Sequence, residues 1–386
     1  MTIYADYAGS SILSNEVKEY LLDRIKNGPF ANPNAIHKLG RTIMSGLTNS
    51  RNICAQNLNA SPEQIIFNSG STEGVTTVFH SLLTPNSSKR TIIISAIEHP
   101  CISNVAKFFQ DKMHYNLITI PVNQDGVIDY DNLKNVIISY KNDIALVSIM
   151  AANNETGVIQ PIEKIATLLN ESKIPFLCDT TQYIGKMPFD FTSSNIDYAV
   201  LSGHKIGALT GIGLLVAKDP ATLSPLLIGG GQENGLRGGT QNYIGIETFA
   251  VAMNDLSNKI KSYSTINDHK MAFEKKIKEQ FPKVVIIGES SPRLPGTTYI
   301  SYPGLHGQAI QIELESQNIF VSTSSACSDN EMSTSKILKS MGINDIIGRG
   351  VIRISLNHDS NPRDYDDIFK HLSSAYKKLS KLNKTL

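Results

Sequence analysis

Short apolar runs alternate with longer segments of helical spacing through the first two thirds of the chain. Runs this apolar are typical of strands that are buried on both faces of a mostly parallel sheet, with helices covering each face. The sequence therefore predicts an α/β fold whose large domain is built on a mostly parallel, seven-stranded sheet. The predicted strands cover residues 64–67, 91–95, 117–121, 144–150, 175–178, 196–201 and 213–217.

Helical patterns flank this region. One apolar-faced helix stops at Gly28-Pro29, a second spans about residues 38–58, and helical sequence from 245 to about 280 leads out of the large domain. We predict three regions: an extended N-terminal arm that associates with the small domain, the large domain, and a small C-terminal domain. Their expected boundaries are 1–15, 16–255 and 256–386.

The C-terminal part is predicted to be a smaller α/β domain. Its last helix starts at Asn361-Pro362, because proline suits the first helical position and the acids that follow favour the positive end of the helix dipole. The predicted strands cover 284–287, 297–302, 319–322 and 352–356. The apolar residues expected to share the buried face of the last helix are Ile368, Leu372, Leu379, Leu382 and Leu386.

Composition narrows the functional class. The 386 residues suffice for two domains with a large core, and 36 Lys+Arg against 35 Asp+Glu give no bulk charge to attract nucleic acid or an anionic membrane. No apolar run approaches the roughly 18 residues of a membrane span. The N-terminus has no secretory pattern, and the four cysteines are too far apart for a zinc site or a disulfide framework. A soluble cytoplasmic enzyme without a metal is the expectation.

One lysine occupies an unusual position. Lys205 ends the segment Ser202-Gly203-His204-Lys205, directly after the predicted strand 196–201. Desolvation there disfavours the ammonium form, and an unprotonated amine is what Schiff-base chemistry requires. Taken alone, the position is more often that of a surface lysine in a turn, so the interpretation depends on its neighbours.

The neighbouring strand ends carry complementary polar groups. The glycine turn and helix start in Asn68-Ser69-Gly70-Ser71-Thr72 form an anion site, unless Thr72 only caps the helix. His99 can stack on a flat ring or shuttle protons, although a lone histidine is more often structural. Asp179 can pair with a pyridine nitrogen or cap the next helix. With Lys205 and the phosphate ligands Ser202 and His204, these groups describe a site for pyridoxal 5′-phosphate.

Four segments then resemble the signatures of a known family. The likeness is to class V, fold-type I pyridoxal-phosphate enzymes, and within them to cysteine desulfurases of the NifS/IscS type. It runs from Tyr4 to Arg353 and implies the fold-type I transferase fold. The segments are Glu98-His99, Asn153-Asn154-Glu155-Thr156-Gly157, Asp179-Thr180-Thr181-Gln182 and Ser202-Gly203-His204-Lys205.

The resemblance implies a role for each matching residue. Lys205 is the Schiff-base lysine, His99 stacks on the ring and assists proton transfer, and Asp179 pairs with the pyridine nitrogen. Asn154 and Gln182 bind near the ring hydroxyl, and Asn154 and Arg353 contact the substrate, Arg353 through its carboxylate. Thr240 reaches the partner subunit's phosphate site, which implies a homodimer. The phosphate ligands within the chain are Ser71, Thr72, Ser202 and His204.

Cys327 is the expected nucleophile. Cys54 and Cys178 lie in apolar patterns that predict burial in the core, and for Cys101 a packing role is the better interpretation. Cys327 instead lies in a segment that resembles the family's cysteine loop, Ser324-Ser325-Ala326-Cys327-Ser328-Asp329-Asn330. The implied activity removes sulfur from L-cysteine, giving L-alanine and a persulfide on Cys327. A sulfur-acceptor protein, as in iron–sulfur cluster assembly, is the implied partner.

Two alternatives stay open from the sequence. One is another class V reaction, such as selenocysteine lysis or transamination. The other is a catalytically degenerate scaffold for sulfur transfer. The chain also departs from the family pattern: the segment after Lys205 is shorter and lacks a proline and a lysine, and Ser71 replaces an expected alanine.

Overall fold

The computed structural model of the protein describes residues 2–323 and 334–382. Its strands are β1 (Ile3–Tyr4), β2 (Ile65–Asn68), β3 (Thr91–Ser95), β4 (Asn116–Ile120), β5 (Ile144–Ser148), β6 (Phe176–Asp179), β7 (Tyr198–Ser202), β8 (Gly213–Ala217), β9 (Val285–Ile286), β10 (Thr297–Ser301), β11 (Ile319–Phe320) and β12 (Val351–Ser355). Its α-helices are α1 (Asn15–Asn27), α2 (Lys38–Leu58), α3 (Ser71–Leu82), α4 (Pro100–Met113), α5 (Tyr130–Tyr140), α6 (Ile162–Glu171), α7 (Tyr243–Met253), α8 (Leu256–Gln280), α9 (Gly307–Glu315), α10 (Lys336–Ser340), α11 (Asp345–Gly348) and α12 (Asp364–Leu382).

The large sheet has seven strands in the order β2-β8-β7-β6-β5-β3-β4. The strand β8 is antiparallel to both of its neighbours, and the remaining pairs are parallel. The seven strands predicted from the apolar runs are confirmed, with ends that differ by at most two residues. The predicted α/β fold with a mostly parallel, seven-stranded sheet is therefore confirmed.

Helices cover both faces of this sheet because alternate strand residues point to opposite sides. In β3, Ile93 joins a core with α2, α5, α6 and α7, while Ile92 and Ile94 join a second core with α3 and α4. Cys54 and Cys178 are fully buried in the first core, as predicted. This two-sided burial explains why the strands are apolar throughout rather than alternating.

A second, smaller sheet follows α8. The strands β9, β10 and β12 pair antiparallel in the order β12-β10-β9, whereas β11 pairs in parallel with β1. The helical sequence after residue 245 is two helices, because Asp255 adopts a left-handed φ of 58° between α7 and α8. The predicted domain boundaries stay a prediction.

The last helix packs its apolar face on the small sheet. Ile368 and Leu372 are fully buried there, and Leu379 is partly buried against the same core. The predicted face is wrong at Leu382, which is 56% exposed in the final turn of α12, and Leu386 lies outside the described residues. Across residues 2–323 and 334–382, no helix combines the length and apolar character needed to cross a bilayer.

Candidate active site

Lys205 follows β7 in a short 3-10 turn and reaches the N-terminal arm. Its Nζ donates to the carbonyl oxygen of Ala8 at 2.8 Å and to that of Gly9. Ser11 Oγ donates to the Lys205 carbonyl oxygen at 2.9 Å, which fixes the backbone of the turn. The predicted strand-end position of the lysine is therefore observed, and the carbonyl groups that hold its amine come from a segment almost 200 residues away.

Hydroxyl groups cluster at the start of α3. Ser71 N donates to Ser202 Oγ at 2.9 Å, and Ser202 Oγ donates to Ser71 Oγ at 2.9 Å. Thr181 Oγ1, to which the sequence analysis assigned no role, lies 2.6 Å from Ser71 Oγ. Gly70 has no side chain to cap this helix, so the site combines the amide groups of the first turn, a helix dipole and hydroxyl groups.

A close backbone approach holds the turn at Gly70 in place. A Cβ atom on Gly213, at the start of β8, would lie 2.4 Å from the Gly70 Cα atom. Gly70 itself has a φ of 153°, which side chains rarely tolerate. Only glycine at both positions lets the turn lie directly on the sheet, where an anion can approach the amides.

The other predicted phosphate ligands occupy different surroundings. His204 Nδ1 lies 3.1 Å from Ser10 Oγ, and burial together with the positive charge of Lys205 lowers the pKa of His204 to about 4. Its ring is neutral at pH 7. Thr72 is exposed and lies near the Cys101 thiol. Thr240 is also exposed and, within the described residues, forms no hydrogen bond with the other predicted ligands.

His99 directly precedes α4 and is oriented by the first turn of that helix. Cys101 N donates to His99 Nδ1 at 3.2 Å, so in the neutral ring the hydrogen is on Nε2. Burial lowers the pKa of His99, and the charge of Lys205 lowers it further, while Asp179 opposes both effects. Asp179 is itself buried and accepts a hydrogen bond from Thr181 N at 2.9 Å. A neutral imidazole therefore lies near a buried carboxyl group.

Arg353 projects from β12 and is held from two sides. Its Nη1 donates to the Asn154 carbonyl oxygen at 2.6 Å, and its Nη2 forms a 2.7 Å ion pair with Asp6. The sequence did not mark Asp6, because the pair joins residues 347 positions apart. Ser322 pairs with Arg353 through two backbone hydrogen bonds, of 2.7 and 3.2 Å. The chain therefore enters the segment that contains Cys327 beside this arginine, and Cys327 lies outside the described residues.

Gln182 is part of a buried polar contact that the sequence also missed. Its Nε2 donates to the Ala8 carbonyl oxygen at 2.9 Å, and its Oε1 accepts from Lys186 Nζ at 2.7 Å. Lys186 is only 7% exposed. One feature of the sequence indicates this contact: Lys186 follows Gln182 by four residues, a spacing at which a turn can bring two side chains together.

Hydrogen bonds link Ser71, Ser202 and Thr181 at the strand ends of the large sheet, where Asp179 and Lys205 also lie. An anion cradle, a neutral imidazole, a buried carboxyl group and a lysine amine form a donor set that fits a phosphorylated pyridine aldehyde. The fit rests on the uncapped α3 start with its hydroxyl cluster. The common site of these residues stays a prediction, and Thr240 lies exposed on a separate segment.

The comparisons with known proteins agree with this arrangement. The sequence profile of the aminotransferase class-V family matches residues 3–368. A cysteine desulfurase of Trichormus azollae is 32% identical over 385 residues, which cover 99% of this chain and 94% of that protein. Among solved structures, a NifS-like protein from Rickettsia africae is 30% identical with a TM-score of 0.87, covering 98% of this chain and all of that one. SspA in complex with cysteine is 29% identical with a TM-score of 0.81, covering 92% of this chain and 99% of that one.

Proposed function

We propose, because the chain belongs to the class-V aminotransferase family, that it is a pyridoxal 5′-phosphate-dependent cysteine desulfurase. The observation that carries this proposal is the Lys205 amine, held at the strand ends beside the hydroxyl cradle of Ser71 and Ser202. The full-length similarity to a cysteine desulfurase and to a protein solved with cysteine supports the choice of substrate.

The chain offers a ligand for each part of the cofactor. The amides at the start of α3, with Ser71, Thr72, Ser202 and His204, would hold the phosphate. The His99 ring would contact the pyridine, Asp179 would bind its nitrogen, and Asn154 and Gln182 would bind its hydroxyl group. When bound to Lys205, pyridoxal phosphate supplies an electron sink for charge that develops at the substrate's α-carbon.

Proton transfer is assigned to two side chains. Lys205 Nζ moves the proton at the substrate's α-carbon, and the carbonyl groups of Ala8 and Gly9 keep this nitrogen in reach of the site. His99 is neutral at neutral pH because burial lowers its pKa. Its Nε2–H is therefore available as a donor, while Nδ1 stays engaged by the amide of Cys101.

Substrate binding is assigned to Arg353. A guanidinium binds a carboxylate in two-point fashion, and the Asn154 carbonyl group and Asp6 fix its plane. The Cys327 thiolate then takes the substrate sulfur. A sulfur–sulfur bond forms as the carbon–sulfur bond breaks, so one thiol and one L-cysteine give one persulfide and one L-alanine. The persulfide sulfur passes to an acceptor protein, with iron–sulfur cluster assembly as the proposed destination.

The active form is proposed to be a homodimer in the cytoplasm. Thr240 is exposed on a glycine-rich segment, where it is accessible to the phosphate site of a second copy. Large apolar side chains are also exposed near the N-terminus and in the same segment, including Leu22 in α1 and Ile228. Cys54, Cys101 and Cys178 are free thiols, which is typical of a reducing compartment.

The decisive experiment compares Cys327→Ala with the wild type and with Cys101→Ala, a control at a second cysteine near the site. The purified proteins are incubated with L-cysteine, and the amino-acid product and the protein mass are measured. We expect the wild type and the control to release alanine and gain one sulfur atom on Cys327. The Cys327→Ala variant is expected to keep the visible absorbance of the cofactor and to release no alanine.

Two results would contradict the proposal. Alanine release by Cys327→Ala at the wild-type rate would exclude the persulfide step. A keto acid as the product of the wild type would indicate transamination instead. Borohydride reduction followed by peptide mass analysis tests the cofactor independently, because it should leave the cofactor attached to Lys205 and to no other lysine.

A further inference from the structure

Lys186 is a buried cation that the proposed function does not use. It follows β6 in a turn and is 7% exposed, and no carboxylate in the described residues forms an ion pair with it. Its Nζ instead donates twice to one residue, to Gln182 Oε1 at 2.7 Å and to the Gln182 carbonyl oxygen at 3.2 Å. A buried lysine without an acidic partner is costly, and an apolar side chain of the same length would be cheaper.

These contacts fix which way the Gln182 amide points. The Ala8 carbonyl oxygen only accepts hydrogen bonds, so the amide atom that lies 2.9 Å from it is Nε2. The amide oxygen therefore faces Lys186, because a charged ammonium group can donate hydrogen bonds but cannot accept them. If the amide were flipped, its oxygen would face the Ala8 carbonyl oxygen and its N–H group would face the ammonium group of Lys186, and both contacts would be repulsive.

The orientation matters because it leaves one donor for the site. An amide nitrogen carries two hydrogens, and the Ala8 carbonyl group takes one of them. The second can be donated toward a bound ring. Lys205 Nζ donates to the same Ala8 oxygen, so Gln182 and the cofactor-binding lysine share one acceptor. The position of Gln182 is thereby linked to that of Lys205.

We propose that Lys186 is a positioning residue that holds the Gln182 amide with its N–H group toward the cofactor. The inference rests on the proposed function, because it needs Gln182 to contact the cofactor. Lys186 does not touch the reacting atoms and acts only through Gln182.

The contact does not depend on the charge of the lysine. Burial lowers the pKa of Lys186 to about 7, and the positive charges of Lys205 and Arg353 contribute to this effect. Lys186 lines a small pocket together with the further cation Lys259 and with His358. A neutral amine still carries two hydrogens, enough for its two acceptors on Gln182, so the amide keeps its orientation on both sides of neutral pH.

The test replaces Lys186 with methionine, which has a similar length and no donor. Cofactor-free full-length variants are titrated with pyridoxal 5′-phosphate, and the dissociation constant and visible absorption maximum are measured. The loss of one net hydrogen bond predicts about 3- to 10-fold weaker binding and an altered absorption maximum. Lys186→Gln, which keeps an N–H donor, is expected to bind with intermediate affinity.

A matched control and a double-mutant cycle separate positioning from general structure. Lys259 borders the same cavity and donates to the Ala252 carbonyl oxygen at 2.9 Å, so Lys259→Met should leave the dissociation constant unchanged. In a Gln182→Leu background, Lys186→Met should have no further effect, because the residue through which it acts is gone.

The outcomes distinguish the two proposals. Additive effects of Lys186→Met and Gln182→Leu, or wild-type affinity and absorption in Lys186→Met, would overturn the positioning role and leave the proposed function intact. A wild-type protein that takes up no pyridoxal phosphate would overturn both. Circular dichroism of each variant checks the fold. If Lys186→Met does not fold, the double-mutant cycle is made with Lys186→Gln and Gln182→Leu instead.

Discussion

Glu98, directly before His99, is predicted to be protonated at neutral pH. Its side chain is buried, and Ser95 Oγ and Met150 N both donate to Oε1, the latter at 3.0 Å. Its Oε2 has no hydrogen-bond partner within the described residues. Burial raises the pKa of Glu98 from 4.5 to about 8, and the negative charge of Asp179 contributes to the rise. The carboxyl group therefore carries a proton at pH 7.

The sign and size of the effect on stability follow from this shift. Between pH 4.5 and about 8 the folded state holds a proton that the unfolded chain has lost, so the free energy of unfolding falls as the pH rises. At about 1.4 kcal/mol per pH unit, the range of about 3.5 units corresponds to about 5 kcal/mol. Glu98→Gln keeps an oxygen for Ser95 and Met150 but cannot ionise, so it avoids this loss.

Urea unfolding followed by circular dichroism, at several pH values between about 5 and 8, measures the effect. We expect the unfolding free energy of Glu98→Gln minus that of the wild type to increase with pH by about 1.4 kcal/mol per unit. Glu289→Gln, at an exposed glutamate paired with Lys278, is the control and should show no such slope. A difference for Glu98→Gln that stays constant across this range would refute the assignment of a buried, protonated carboxyl group.

Three further predictions concern the site and the core. Asp6→Asn keeps an acceptor for Arg353 but removes the charge that competes with a substrate carboxylate, so the KM for L-cysteine should fall with little change in kcat; a higher KM would contradict this. Ser71→Ala removes the hydroxyl between Ser202 and Thr181 and should lower the unfolding free energy by about 1 to 2 kcal/mol, measured by urea unfolding. Leu372→Ala leaves a cavity under α12 and should cost about 2 to 5 kcal/mol in the same assay, whereas Ile138→Ala, at a position 66% exposed in α5, should cost less than about 1 kcal/mol.

The large sheet and the strand-end residues were accessible from the sequence because they depend on local patterns. A strand buried on both faces must be apolar, and its end must turn, so Lys205 and Asp179 are visible as polar residues directly after such runs. Asp6 and Lys186 were not accessible in this way. Asp6 meets Arg353 only through the tertiary fold, and Lys186 would be read as an exposed lysine unless its burial is known.

The N-terminal arm explains why the site depends on contacts that no local pattern reveals. The arm pairs with β11 through β1, places Asp6 on Arg353, and then gives its Ala8 and Gly9 carbonyl groups to Lys205. One short peptide therefore sets the positions of the residue proposed to bind the substrate carboxylate and of the residue proposed to bind the cofactor. Because Ala8 N also donates to Ser355 Oγ on β12 at 2.9 Å, a displacement of the small sheet would move the acceptor of Lys205 with it. The arm thus links these two residues by two kinds of contact: the Asp6 side chain pairs with Arg353, whereas Lys205 is held by backbone carbonyl groups, which tolerate substitution at Ala8 and Gly9 better than a side-chain contact would.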